Sequence, residues 1–344
     1  MLSSTRMYCL AGLGVTAASA LLATYVWHKR EEMLWVEIGR VEDLIIYPIK
    51  SGHGTSVMKA TATRSGLRSG PLTDRAFVVV LVTPEKMVHM NSGMVPMLAT
   101  ISAAITESSV VLSSPVTKAT NSFDLHKTVQ SEPLEFFLQA TPKRGYDCGE
   151  VTAKWMQEVL YHEVEPSKRP QVRLIFVGDP ETFKNVARAP NVYPFTQFKN
   201  TDLRLYHDTC AFHVTSPSSL DDLNTRLETP VTMNQFRSNI VVSGQPAFEE
   251  DNWAYVKFGD STILRTLKPR ESCIRINVRP DSGKRQNEVL DVMRKYRVPP
   301  MPEKLAKQWA HKPIFGLHMA LDQPGDIAVG DTVYAVRRKP DWFL

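Results

Sequence analysis

Beyond about residue 34 the sequence is cut into short runs rich in Val, Ile, Leu and Phe, each ended within a few residues by a turn-type cluster, and that cadence leaves little room for long helices. Trp35 to Tyr47 is an extended pattern that stops at Pro48 and hands over to the polar turn Lys50-Ser51-Gly52. Similar patterns lie at Ala76 to Val82, Met97 to Ile105, Ser109 to Ser113, Glu135 to Ala140, Arg237 to Val242, Tyr255 to Phe258, Thr262 to Leu267 and Cys273 to Val278. Thr83-Pro84-Glu85, Gly259-Asp260 and Asp281-Ser282-Gly283 punctuate them, and the stretch Gly325 to Asp331 reads as strand-turn-strand. Many short strands joined by such turns predict a barrel or sandwich. Helical spacing is confined to Glu150 to Tyr161, where Val151, Trp155, Val159 and Leu160 share a face, to the stretch after Ser216-Pro217-Ser218, and to Glu288 to Tyr296. The fold class is therefore α+β and β-dominated.

The amino terminus is of another kind. From Met7 to Trp27 no residue is charged, a length that as a helix matches the hydrocarbon thickness of a bilayer. Tyr25 and Trp27 stand where an interface belt would be, and His28, Lys29 and Arg30 follow directly, which predicts a single membrane anchor with the folded part on the cytosolic side. A leader cleaved after Ala18-Ser19-Ala20 is the competing reading. Against it, the apolar run continues through Leu21, Leu22 and Val26, and cleavage would leave three cysteines. Moderate hydrophobicity with basic flanks is similar to mitochondrial outer-membrane signal anchors.

The 344 residues suffice for a large core, and a 43% apolar, 22% charged composition is that of a globular chain. Forty-one basic against 36 acidic residues give a net charge of +5 spread along the sequence, so nucleic acid is not an expected partner. Cys9, Cys148, Cys210 and Cys273 form no CxxC pair, which argues against a disulfide framework or zinc cluster and for a reducing compartment.

No Walker loop, dinucleotide GxGxxG, HExxH, EF-hand or GxSxG elbow is present. What remains is a set of polar residues at the ends of extended runs: Lys50 and Ser51, Arg75 after Asp74, Asp208 and Thr209, Arg237 and Asn239, and Cys273 at the start of its own run. Singly, each reads as a solvated loop charge, a turn cap or, for the cysteine, a small buried residue.

Taken in order, they sit in motifs that resemble the MOSC family (molybdenum cofactor sulfurase carboxyl-terminal domain) and, within it, the mitochondrial amidoxime-reducing components. The motifs are Tyr47-Pro48-Ile49-Lys50-Ser51, Gly66-Leu67-Arg68-Ser69-Gly70-Pro71-Leu72-Thr73-Asp74-Arg75, Asp147-Cys148-Gly149-Glu150 and Leu220-Asp221-Asp222-Leu223-Asn224-Thr225-Arg226-Leu227. Phe236 to Gly244 and Ile327 to Tyr334 complete them, so the resemblance runs from about Ile38 to Val336. It implies a MOSC β-barrel with an N-terminal β-rich subdomain behind a single transmembrane helix. The expected division is 1–32 for anchor and flank, 33–180 for the N-terminal subdomain and 181–344 for the domain carrying the cofactor cysteine.

The resemblance also implies a cofactor, molybdenum bound to molybdopterin. Lys50, Arg75 and Arg237 would meet its phosphate, Ser51, Asp208, Thr209, Asn239 and Ser272 its polar edges, and Cys273 would ligate the metal as a soft thiolate. The implied activity is reduction of N-hydroxylated compounds such as amidoximes and hydroxylamines at the mitochondrial outer membrane, facing the cytosol. Electrons would come from a b-type cytochrome and its NADH-dependent flavin reductase. One departure stands out: the family usually carries Cys-Ser-Arg-Cys where this sequence reads Arg270-Glu271-Ser272-Cys273. Either Arg270 supplies the missing guanidinium or the cofactor is held more weakly, and in the second case the chain is a non-catalytic cofactor-binding or scaffold protein. A sulfurase is disfavoured for want of room for a pyridoxal-phosphate domain, and a cysteine hydrolase using His207 or His213 for want of a nucleophile motif.

Overall fold

A computed structural model describes residues 34–180, 185–187 and 197–338. The expected anchor therefore lies outside the described residues; among those described, no helix is long and apolar enough to cross a membrane. The fold is a β-dominated α+β arrangement with two barrel-like sheets and their cores.

The larger sheet is built around the first strand, Val36–Ile46, which pairs antiparallel with Ile240–Ser243. From there the order runs through Phe212–Thr215, Ile314–Gln323, Thr262–Glu271, Trp253–Phe258 and Thr332–Arg337 and returns to Val36–Ile46, so the sheet closes on itself. Closure removes the exposed edges that open sheets must otherwise protect. Its interior is apolar, with Leu44, Phe212, Val214, Trp253, Phe258, Leu317 and Val333 fully buried. The strands meet very closely at Gly39, whose φ is +137° and where a Cβ would stand 1.7 Å from the Ser243 carbonyl oxygen.

The smaller barrel joins Leu134–Leu138, Thr141–Asp147, Val172–Phe176, Phe77–Val82 and Met87–His89. Phe77 to Val80 are buried without alternation, as expected of a strand covered on both faces. The helix Glu150–Leu160 lays Trp155, Met156, Val159 and Leu160 on this barrel. The helices Pro217–Asn224 and Glu288–Arg294 also stand where the spacing predicts. Ser216 does precede the first of these, yet its hydroxyl pairs with that of Ser218 at 2.6 Å and not with a backbone N–H.

Four sequence expectations need correction. Val151 does not share the buried face of Glu150–Leu160 but is 75% exposed. Arg237 to Val242 is extended only from Ile240, because Arg237 ends the helix Met233–Phe236 in a left-handed conformation. Met97 to Ile105 is not one strand: Pro96–Thr100 is a 3-10 turn, with proline fixing its first position, and only Ser102–Ile105 is extended. Cys273 to Val278 is not a strand either. The preceding strand runs on to Glu271, and Ile274–Asn277 forms a 3-10 turn capped by Cys273. Periodicity alone cannot assign so short an apolar run, and here the Ile276 N–H closes onto the Cys273 carbonyl at 3.0 Å.

Because no residue with a Cβ fits the approach at Gly39, Gly39→Ala should cost about 2 kcal/mol or more. Urea unfolding of wild type and variant checks this; equal midpoints would contradict the register described.

Candidate functional site

Two crossings between the barrels build the site. Tyr47 to Ser51 leaves the large sheet and runs beside the start of Phe77–Val82: the Lys50 N–H bonds the Phe77 carbonyl at 2.7 Å and the Phe77 N–H bonds Pro48 at 2.9 Å. The second crossing is Leu205 to Phe212. Leu205 and Tyr206 pack in the small-barrel core, Ala211 and Phe212 in the large one, and His207, Asp208, Thr209 and Cys210 are left at the seam. The strand Thr262–Glu271 brings Arg270 to the same place, and the short helix Met233–Phe236 ends there at Arg237.

Seven of the nine residues expected in the site line one cleft at this seam: Lys50, Ser51, Arg75, Asp208, Thr209, Arg237 and Asn239. Three of them, Ser51, Arg75 and Arg237, have φ of 68°, 52° and 55°, a left-handed backbone that side-chain-bearing residues adopt at a cost. Strain of this kind concentrates where geometry serves a ligand.

Two carboxylates order the cations. Asp208 accepts from Lys50 Nζ and Gln139 Nε2, both at 2.6 Å, and its other oxygen takes the Arg275 guanidinium. Burial pushes Asp208 up, but Arg275 and Lys50 outweigh it and hold the carboxyl well below its usual range. Asp74, fully buried, accepts from the Tyr47 N–H at 2.7 Å, from Arg75 and from His207 Nε2 at 2.8 Å. Arg75 also lies over the Tyr47 ring at 4.5 Å. Burial lowers Lys50 to about 8 and Arg237 to about 10, and it takes His207 down to about 4, leaving that imidazole neutral at pH 7. Burial, followed by nearby cations, likewise holds His213 and His318 neutral.

The charge does not balance. Lys50, Arg75, Arg237, Arg270 and Arg275 bring five positive charges against two from Asp74 and Asp208, a surplus of three. Arg237 gives Nη2 to Ser92 at 2.9 Å, but its Nε has no partner, and neither does Arg270 Nη1. Unpaired buried donors in a surplus of positive charge suit an anionic ligand with several acceptor oxygens. Among the described residues no cluster of three or more His, Cys, Asp or Glu side chains could hold a metal ion by itself. A metal here would thus depend on donors brought by its own cofactor.

The other two expected residues, Ser272 and Cys273, line a second cavity. Arg275 connects the two spaces, lining the cleft and giving Nε to Cys273 Sγ at 3.2 Å. Burial raises the Cys273 thiol, but Arg275, with Arg270 behind it, outweighs burial and the net shift is downward. The altered loop does not place a free carboxylate in the cleft, because Glu271 is ion-paired with the buried Lys268. Sequence reasoning missed Arg275, Cys210 and His318 as lining groups. Cys210 and His318 form a hydrogen-bonded pair at 3.2 Å that no local motif marks.

Two closed β-sheets sharing a cation-rich seam define a two-barrel fold whose cleft is suited by its charge to an anionic ligand. The MOSC domain profile matches residues 202–334 and that of the MOSC N-terminal beta barrel domain residues 38–163, so the chain belongs to the MOSC-domain family. It is 32% identical to "Mitochondrial amidoxime-reducing component 1" of Homo sapiens over 94% of this chain and 92% of that protein. It is 33% identical to the Mus musculus protein of the same name, over 94% and 91%, and 35% identical to "Mitochondrial amidoxime reducing component 2" of Bos taurus, over 87% and 83%.

Asp208→Asn should destabilise the protein by about 2 kcal/mol, a buried-pair loss discounted for partial exposure. Because the folded carboxyl is held below its unfolded value of about 3.9, its contribution is full above pH 5 and fades as pH falls below 4. Unfolding curves at pH 7 and pH 3 check this; a difference between wild type and variant that stays constant with pH would exclude the ion cluster as its cause.

Proposed function

We propose that this protein is a molybdenum-cofactor oxidoreductase that reduces amidoximes, hydroxylamines and related N-hydroxylated compounds to amidines or amines. The observation carrying this reading is the surplus of three positive charges, with unpaired donors on Arg237 and Arg270, beside a thiol polarised by Arg275. Family membership and the names of the relatives support it.

In this reading Lys50, Arg75, Arg237 and Arg270 hold the phosphate of molybdopterin, with arginine offering the better fork for its oxygens. Ser51, Thr209 and Asn239 face its polar edges. Asp208, whose two oxygens are already occupied, acts by holding Lys50 and Arg275 in place. Cys273, its thiol lowered, is the soft ligand for the metal. When bound, the cofactor would supply the two-electron redox centre. The overall change consumes two electrons and two protons, breaks the N–O bond and releases the oxygen as water.

The sequence carries no haem or flavin motif, so the electrons would come from a b-type cytochrome and its NADH-dependent flavin reductase. Residues 1–32 would be the anchor in the mitochondrial outer membrane, with subdomains 33–180 and 181–344 facing the cytosol. A non-catalytic scaffold would follow from a weakened cofactor loop. The pairing of Glu271 with Lys268 and the place of Arg270 in the cleft speak for a working loop instead.

Cofactor-loaded Cys273→Ser should retain its pterin and lose benzamidoxime reduction with an artificial electron donor, since a hard, protonated hydroxyl replaces a soft thiolate. Cys148→Ser, buried in the small-barrel core, should keep turnover. Near wild-type turnover by Cys273→Ser would overturn the ligand assignment. Arg237→Ala should lower molybdenum content several-fold while the protein still folds.

A further inference from the structure

A third cavity lies over the three-stranded sheet formed by Ser102–Ile105, Ser109–Ser114 and Ala119–Asp124. It holds about 550 Å³ counted to its open mouth and shares no lining residue with the cleft or with the cavity beside Cys273. Ser102 is opposite Ser113, and Ser113 is opposite Thr120, so three hydroxyl-bearing residues stand in one row across the strands. Their neighbours Ala103 and Leu112 turn into the small-barrel core, and strand alternation puts the row on the other, outer face. His53, whose N–H bonds the Ile101 carbonyl at 2.9 Å, and the turn that carries Pro115 and Lys118 complete the wall.

This cavity is charged quite differently from the cleft. The cleft gathers five cations, whereas here Lys118 brings the one ammonium, and among the described residues no carboxylate lines the space. Lys118 is exposed, has no acidic partner among the described residues, and is set at the end of its turn by a left-handed backbone with φ of 55°. The half-buried Ser102 and Ser113 hydroxyls bond each other at 2.8 Å, which uses one of their two hydrogens and leaves the other for a further acceptor. Pro115 and Ala119 make part of the wall apolar. One cation and one spare hydroxyl hydrogen beside an apolar wall suit an anion of single charge with a hydrocarbon body. They suit a phosphate dianion poorly, because most of its strongly hydrated oxygens would lose water without gaining a partner.

We propose that this cavity is a binding site for a small monocarboxylate with an aromatic or aliphatic body, the carboxylate lying between Lys118 Nζ and the Ser102–Ser113 pair and the body against Pro115 and Ala119. An exposed ion pair contributes little by itself. The hydroxyl gives the carboxylate a direction and the apolar wall adds the contact that the charge lacks, so affinity depends on the body of the ligand as well as on its charge. Because no cleft residue takes part, the site is independent of the reductase reading and of whether the cleft is filled.

Calorimetric titration of full-length protein with benzoate, acetate and benzamide tests this. Benzoate should bind several-fold more tightly than acetate, which lacks the apolar body, and than benzamide, which lacks the charge. Lys118→Gln, at an exposed position, should keep the thermal midpoint and bring benzoate down to the affinity of benzamide. Ser113→Ala should weaken benzoate roughly 10-fold, the worth of one hydrogen bond to a charged group, with benzamide less affected. Added salt should weaken benzoate and leave benzamide unchanged. Arg237→Ala, whose side chain lies in the cleft, should bind benzoate as wild type does. Loss of benzoate binding in Arg237→Ala would place the ligand in the cleft and overturn the site. Equal affinities for benzoate and acetate would reduce it to a bare ion pair, and an affinity for benzoate unmoved by Lys118→Gln, or no benzoate binding by wild type, would overturn it outright.

Discussion

The Asp208 carboxylate ties together groups that are far apart in sequence: Lys50 from the first crossing, Gln139 from the edge of the small barrel and Arg275 from the turn after Cys273. Without it two cations would face each other in a partly buried space. With it they are fixed at hydrogen-bond distance, and Arg275 is oriented so that its Nε reaches the Cys273 sulfur. One carboxylate thereby sets the seam between the barrels, the charge of the cleft and the state of the thiol. Asp74 does the same on the other side, holding Arg75, His207 and the Tyr47 backbone.

Such a cluster carries positive charge beyond its own needs. Like charges held together in a folded protein oppose its stability, and desolvation adds to the cost. The left-handed backbones of Ser51, Arg75 and Arg237 add strain at the same place. Both make sense if the cleft is shaped for an anion whose binding relieves the repulsion, and binding to the folded state alone would then stabilise the protein as a whole.

Much of this was legible in the sequence, for reasons that differ by residue. The strands Val36–Ile46 and Phe77–Val82 are fixed by runs of apolar and β-branched residues ended by turns, and the helix Glu150–Leu160 by its spaced apolar face. Lys50, Arg75 and Arg237 could be picked out because a charge at the end of an extended run has no place in a core. Their convergence could not be derived from spacing, since it depends on two crossings between barrels that only tertiary pairing creates; the resemblance supplied it. Ile274 and Ile276 mimic the alternation of a strand although the chain turns there, so neither the place of Cys273 nor the inward reach of Arg275 is legible from the local pattern. The cavity beside Ser272 depends on Leu290, Arg294 and Lys312, which no local pattern links to it.

The central claim is that the surplus charge and the polarised thiol exist to hold a molybdenum cofactor. Elemental analysis of full-length protein purified from cells that make the cofactor tests it directly. The account predicts close to one molybdenum per chain, falling sharply in Arg237→Ala. Protein purified under those conditions with no molybdenum above background, folded and with an intact thermal transition, would contradict it.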